Sequence, residues 1–215
     1  MTVSRLVLIR TGETDWNRQG RWQGWVANPL NDHGKQQVRA LANYIRHIGM
    51  GVLYTSDLRR AVETAEHLTA KLDFNAVLDS RWRERDIGRW QGMTLAEIRA
   101  WYPDQFQALQ ADPHEFRVPG GESRADVRRR VLFALDDALA LEGVETVGVI
   151  THSTAIRALL DALVPNHNLS GVVIGNSSVT TLARDGSVWH LVAANDLAHL
   201  EGLASASVAE LESER

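Results

Sequence analysis

The sequence predicts an α/β fold: a three-layer α/β/α sandwich whose mostly parallel sheet ends in a C-terminal β-hairpin. Three observations carry that expectation. Short apolar runs alternate with stretches of helical period, three of those runs stop abruptly in polar residues, and the last two β-rich runs are separated by the turn Arg184-Asp185-Gly186-Ser187. Arg5-Leu6-Val7-Leu8-Ile9 reads as a buried strand that ends at Arg10 and feeds the loop Thr-Gly-Glu-Thr-Asp. Val38, Leu41, Ala42, Ile45 and Ile48 recur at three- and four-residue spacing, which predicts an amphipathic helix from His33 to Ile48, closed by Gly49. Gly51 to Thr55 reads as a second strand, and Ser56 as the cap of a helix from Asp57 to Leu72. Ala76-Val77-Leu78 is a short strand candidate. Thr94 opens a helix toward Trp101, and Pro103, Pro113 and Pro119 punctuate an excursion over 93–119, expected to lie lid-like over the crevice. Ser123 caps a helix from Arg124 to Leu141, and Thr146 to Ile150 is a third buried strand, ending at Thr151-His152. A helix over Ser153 to Leu163, stopped by Pro165, and β-rich runs over Val172 to Leu182 and Val188 to Val192 complete the order. The whole is expected as one domain over 1–215, with a surface helix or frayed tail over 201–215.

With 215 residues, 44% hydrophobic and 23% charged, the composition is that of a folded globular chain and excludes intrinsic disorder. No apolar run approaches the roughly 18–20 residues of a membrane span, and Met1 leads into a strand pattern without a signal-peptide core, so neither membrane nor export is expected. The absence of cysteine removes disulfides and thiolate chemistry and agrees with a cytoplasmic location. A net charge of -4 argues against a nucleic-acid partner. That charge is unevenly spread: residues 1–60 hold nine Arg or Lys against four acids, a local +5, which leaves -9 for the rest. A solvated charged face is the commoner origin of such asymmetry, and a local anion site the functional one.

Position favours the anion site. Arg10, Thr55-Ser56 and His152 stand where apolar strands end, and ligands of parallel sheets bind outside the carboxyl ends of their strands. Arg59 and Arg60 open a helix, against the dipole, which is unfavourable unless something negative lies nearby. One such arginine is more often a solvated charge; several together point to an anion. The guanidinium fork matches phosphate oxygens, although with 21 arginines and two lysines the preference alone carries little. Taken singly, His152 reads as a structural histidine and Glu84 as an ion-pair partner.

The motifs at these junctions resemble the histidine phosphatase superfamily, also called phosphoglycerate mutase-like. Arg10-Thr11-Gly12-Glu13-Thr14, Asn17 and Gly20-Arg21-Trp22-Gln23-Gly24 match its opening block at every element but one, and Ser56-Asp57-Leu58-Arg59-Arg60-Ala61 matches the second. Arg81 to Gly88 with Trp90-Gln91-Gly92 resembles the block that carries the family's acid. Gly120-Gly121-Glu122-Ser123 and Val149-Ile150-Thr151-His152 resemble the last two, so the likeness runs over about residues 5–160 in order. The resemblance implies phosphomonoester chemistry. Arg10, Asn17, Arg60 and His152 would hold the phosphoryl group, Glu84 would protonate the leaving oxygen, Gln23 would lie near the substrate, and no metal or organic cofactor is implied.

The exception is the nucleophile. Where the family has its attacking histidine, this chain has Thr11. A hydroxyl needs an adjacent base, which Arg10, Arg60 and His152 do not offer; that leaves only Glu84, the residue the family uses as its acid. A phosphothreonine ester is also far less labile than a phosphohistidine. Impaired phosphomonoester hydrolysis is the first reading, a non-catalytic phosphate-binding pseudoenzyme the second. A phosphoglycerate mutase is the third, because the stretch from Met93 to Pro119 is short for that branch. The partners expected are a small phosphomonoester or inorganic phosphate, with a homodimer left open. Trp16, Trp22, Trp25, Trp82 and Trp90 are expected to pack the motif loops onto the sheet, and the other seven histidines, without paired metal spacing, to be ordinary surface or core residues.

Overall fold

The computed structural model describes residues 2–72, 74–167 and 172–203. Six strands, β1 (Arg5–Arg10), β2 (Val52–Thr55), β3 (Val77–Leu78), β4 (Thr146–Thr151), β5 (Val179–Asp185) and β6 (Val188–Asp196), form one sheet in the order β3-β2-β4-β1-β5-β6. The helices are α1 (Asp15–Arg18), α2 (Asp32–Ile45), α3 (Arg59–Thr69), α4 (Leu95–Trp101), α5 (Pro103–Ala111), α6 (Arg124–Leu139) and α7 (Ser153–Leu163). The four strands β3, β2, β4 and β1 run parallel; β5 joins β1 antiparallel, and β6 closes the expected hairpin. β1 and β4 are in register from Arg5 opposite Thr146 to Arg10 opposite Thr151, so Arg10 and His152 emerge at the same level.

Strand alternation sorts the core into two layers. Leu6, Leu8, Val147 and Val149 face α6 and α7, where Val127, Val131, Ile156 and Leu159 meet them. Val7, Ile9, Leu53 and Ile150 face α2 and α3, against Leu41, Ile45, Ala61 and Leu68. With both faces covered, β1 and β4 are buried along nearly their whole length, and this is why they read as unbroken apolar runs. The 93–119 segment folds as α4 and α5. A capping box between Thr94 and Glu97 starts α4, and the segment packs through Ile98, Leu109 and Val118 onto Trp90. Among the described residues no helix is long and apolar enough to cross a membrane.

Several boundaries differ from expectation. The first predicted helix ends at Ile45 rather than Ile48, although Gly49 does take the left-handed φ of +74°. α3 begins at Arg59, not Asp57, because Ser56 Oγ accepts the Leu58 N–H at 3.3 Å and Arg83 takes both Asp57 oxygens, at 2.6 and 2.5 Å. α6 stops at Leu139, two residues early. The run from Val172 to Leu182 is strand only from Val179. Ser177, at φ +60°, turns the chain, and the residues before it are drawn to the end of β1: Ile174 O accepts from Arg10, and Asn176 Nδ2 donates to Thr11 O at 3.1 Å. β6 continues past Val192 to Asp196. The tail expected over 201–215 lies outside the described residues from 204 onward.

Candidate active site

A cleft of about 1100 Å³ opens at the carboxyl ends of the parallel strands, and Arg10, Thr11, Asn17, Gln23, Arg60, Glu84 and His152 all line it. Every residue to which the resemblance gave a role in phosphate chemistry therefore faces one space. The loop after β1 is fixed through its backbone: Thr11 N–H donates to Thr151 O at 3.1 Å, Thr11 O accepts from Ser177 N at 3.0 Å, and Gly12 N–H donates to Thr64 Oγ1 at 3.2 Å. Glu13, fully buried, takes Asn31 at 2.7 Å and Arg18 at 2.9 Å on one carboxylate oxygen. The first turn of α2 packs against this backbone so closely that a Cβ on Gly34 would lie 2.1 Å from Glu13 O. Among the described residues no hydrogen bond runs to the Thr11 hydroxyl.

Asn17 has two tasks. As the third residue of α1 it completes a capping box, with Oδ1 accepting from the Thr14 backbone at 3.1 Å and the Thr14 hydroxyl at 3.0 Å. Its amide nitrogen is then the group left for the cleft. Gln23 Oε1 accepts from Asn28 Nδ2 at 3.2 Å, which presents its amide similarly.

Arg60 is 3% exposed, and its two terminal nitrogens donate to Val26 O at 3.2 Å and Gly24 O at 2.9 Å. Burial pushes its pKa down to about 10; Glu84 opposes that shift and Arg10 adds to it. It stays charged at neutral pH, as a buried cation without a dedicated carboxylate. Its neighbour Arg59 points to solvent, 58% exposed, and pairs with Glu63 at 2.8 Å. His152, the N-cap residue of α7, is 3% exposed with Nε2 2.9 Å from Ser56 Oγ. Burial, then Arg60, Arg130 and Arg10, hold its pKa well below 6.5, so the ring is neutral at pH 7.

Glu84 is set by its surroundings on all sides. Oε1 accepts the Arg85 N–H at 2.6 Å, Oε2 accepts the Thr154 N–H at 3.2 Å in the first turn of α7, and its carbonyl receives Trp25 Nε1 at 2.7 Å and Arg130 Nη2 at 2.8 Å. Arg130 also donates to the carbonyls of Arg81 and Arg83, and it pairs with both oxygens of Glu122 at 2.8 Å. Glu122 Oε2 additionally accepts the Asp86 N–H at 2.9 Å. The glutamate of the Gly-Gly-Glu-Ser block is therefore a strut for the Glu84 loop, and a Cβ on Gly121 would lie 2.5 Å from Asp86 O. The sequence analysis gave Arg130 no role beyond its place in the helix from Arg124 to Leu141. Its spacing was the available signal, since Arg130 falls three residues after Val127 and four before Ala134, both buried on the inner face.

The cleft also takes in Arg85, a residue of the Glu84 block to which the sequence gave no role, and Arg124, Arg128 and Arg157, which no motif marked, together with His114 and His167, which the sequence assigned to ordinary positions. Trp82 and Trp90 are fully buried beneath the motif loops. Among the described residues no group of three or more His, Asp or Glu is placed to hold a metal ion. Fixed cations and outward amides around one space, with a carboxylate beside them, can bind an anion and deliver a proton to it.

The sequence profile of the histidine phosphatase superfamily (branch 1) matches residues 6–197. Phosphoserine phosphatase 1 of Hydrogenobacter thermophilus is 33% identical over 159 residues, which is 74% of this chain and 75% of that protein. Glucosyl-3-phosphoglycerate phosphatase of Mycolicibacterium vanbaalenii is 35% identical over 198 residues, 85% of each. The solved structure of a mycobacterial glucosyl-3-phosphoglycerate phosphatase with VO3 superimposes with a TM-score of 0.81 at 32% identity, over 90% of this chain and 99% of the other.

Proposed function

Because this chain belongs to the histidine phosphatase superfamily, branch 1, we propose that its cleft binds and hydrolyses phosphomonoesters, and that hydrolysis is impaired by Thr11. The observation that carries the reading is the meeting of Arg10, Asn17, Arg60, Glu84 and His152 on one cleft from four separate parts of the chain. In this reading the phosphoryl oxygens accept from Arg10, Arg60 and the Asn17 amide. Charge on those oxygens offsets the mutual repulsion of Arg10 and Arg60. His152, neutral in the free protein, gains a proton as the dianion arrives and becomes a further donor. Glu84, held by the Thr154 N–H, protonates the departing alkoxide. Segment 93–119, which contributes His114 and Glu115 to the lining, serves as the lid.

The covalent step is where this chain departs from its family. Attack by Thr11 Oγ1 would need its proton removed, and no hydrogen bond among the described residues links that hydroxyl to a base. This observation favours a second reading, a phosphate-ligand binder that no longer turns over. A panel of phosphomonoesters and inorganic phosphate, assayed for release of phosphate and for binding, with and without bisphosphoglycerate, separates the readings. Slow release supports the impaired phosphatase, and binding without release supports the binder. Phosphoryl exchange that depends on bisphosphoglycerate would indicate a mutase, and absence of any phosphate binding would overturn all three.

A further inference from the structure

The backbone of Glu84 is pinned from two directions. On the α6 side Arg130 donates to its carbonyl at 2.8 Å, and the next residue, Arg85, donates to the carbonyls of Glu122 and Phe116 at 2.7 and 2.9 Å. These contacts fix the Glu84 loop to the scaffold, but none of them touches the side chains assigned to the phosphoryl oxygens. The second direction leads to one of those. Trp25 Nε1 donates to the same Glu84 carbonyl at 2.7 Å, so that Trp25 and Arg130 together satisfy both lone pairs of that oxygen. The Trp25 ring also lies 4.6 Å from the guanidinium of Arg83, which Asp57 holds through both carboxylate oxygens.

Trp25 stands at the centre of the segment that grips Arg60. Gly24 O and Val26 O, the carbonyls on either side of it, accept from the two terminal nitrogens of Arg60 at 2.9 and 3.2 Å. The segment itself has little freedom. Gln91 Oε1 accepts the Trp25 backbone N–H at 3.0 Å, and Gly24 takes a left-handed φ of +53°, where a Cβ would lie 2.7 Å from Ile87 Cγ1. Packing a loop onto the sheet needs none of this, and phenylalanine would serve for it. The indole N–H is instead directed at the backbone of the residue read as the acid.

We propose that Trp25 is a positioning residue for protonation of the leaving group: it ties Glu84 to the loop that holds Arg60, so that the acid keeps a fixed distance from the phosphoryl group bound there. The proposal rests on Glu84 being the acid of a phosphomonoester site, and the test separates the two. kcat/KM is measured for p-nitrophenyl phosphate, whose phenolate departs without a proton, and for glycerol 2-phosphate, whose alkoxide needs one, in the wild-type chain and in Thr11→His. In Trp25→Phe the ratio of the alkyl to the aryl ester should fall about tenfold or more, because a shift of about 1 Å in a reacting group can cost roughly 100-fold. A merely structural role would lower both rates by one factor and leave the ratio where it was. In Glu84→Gln the ratio should already be low, and adding Trp25→Phe should not lower it further. Trp25→Leu, at this half-buried position, should act as Trp25→Phe does and keeps the test open if the phenylalanine variant does not fold. The proposal alone is overturned if the variants leave the ratio unchanged, or if Trp25→Phe lowers it as much without Glu84 as with it. If Glu84→Gln leaves the ratio unchanged, or if neither parent chain hydrolyses glycerol 2-phosphate, the acid assigned to the site falls and takes the role of Trp25 with it.

Discussion

Replacing Arg60 by Met should separate the stability of the fold from its hold on anions. Burial lowers the Arg60 pKa to about 10, well below the ordinary guanidinium value. An arginine held charged in that environment destabilises the folded chain by about 3 kcal/mol at neutral pH. For a cation with a depressed pKa, that penalty is in force at every pH below about 10 and is relieved only as the pH climbs above that value toward the range where a free guanidinium titrates. Against it stand the hydrogen bonds to Val26 O and Gly24 O, worth about 1.5 kcal/mol each for a charged donor. The two terms nearly cancel, and Met fills much of the space of the arginine stem. The ligand-free variant should therefore melt within about 4 °C of the wild type. Phosphate binding should behave differently, losing about 1.5–3 kcal/mol, or roughly 10- to 150-fold in affinity. Calorimetric titration with inorganic phosphate, and melting curves with and without it, read both quantities, with Arg59→Met as the solvent-facing control that changes neither appreciably. A variant that melts far below the wild type yet binds phosphate equally well would refute the reasoning and make Arg60 a strut.

Thr11→His should raise the kcat for p-nitrophenyl phosphate by several orders of magnitude over both the wild type and Thr11→Ala, since it adds a nucleophile to a cradle already assembled. Equal, negligible rates in all three would instead support a binder. His152, with its pKa held well below 6.5, should make the ligand-free fold less stable as the pH drops through 6.5, because the unfolded chain takes up a proton that the folded chain refuses. Urea denaturation between pH 8 and 5 tests this, and an unchanged slope in His152→Gln would contradict it. For the same reason affinity for sulfate, which does not titrate there, should rise as the pH falls from 7 to 5; a flat profile would count against proton uptake by His152. Arg130→Leu should cost about 3–5 kcal/mol by leaving Glu122 and three carbonyls without their donor. An unshifted denaturation midpoint would disprove the strut.

What the sequence made legible was whatever a local pattern encodes. β1 and β4 announce themselves because both faces are covered, and α7 matches its expected limits because His152 leads in and Leu163 is followed by Val164 and Pro165. Arg10, Thr55-Ser56 and His152 were visible because each stands at a strand end, whereas Asn17, Gln23 and Glu84 were marked only by the motifs they share with the family. Less visible was anything decided across the chain. α3 starts two residues late because Arg83, 26 positions away, captures Asp57. β5 starts seven residues late because Ile174, Asn176 and Ser177 are held by Arg10 and Thr11, and no window over Val172 to Leu182 contains that information. Arg85 and Arg130 act through backbone carbonyls, which carry no residue-type signature.

The capping box of α1 has a consequence for how this protein can change. The oxygen of Asn17 belongs to the helix and its nitrogen to the cleft, so one side chain serves scaffold and ligand with opposite polarities. Aspartate in its place would keep the cap and even suit the helix dipole, while turning a donor toward the anion into a repelling charge. A screen for folded, soluble protein would pass that substitution without penalty. The proposed site could thus be lost with no trace in stability, and a drifting lineage could shed phosphate recognition at this position while its fold stayed intact.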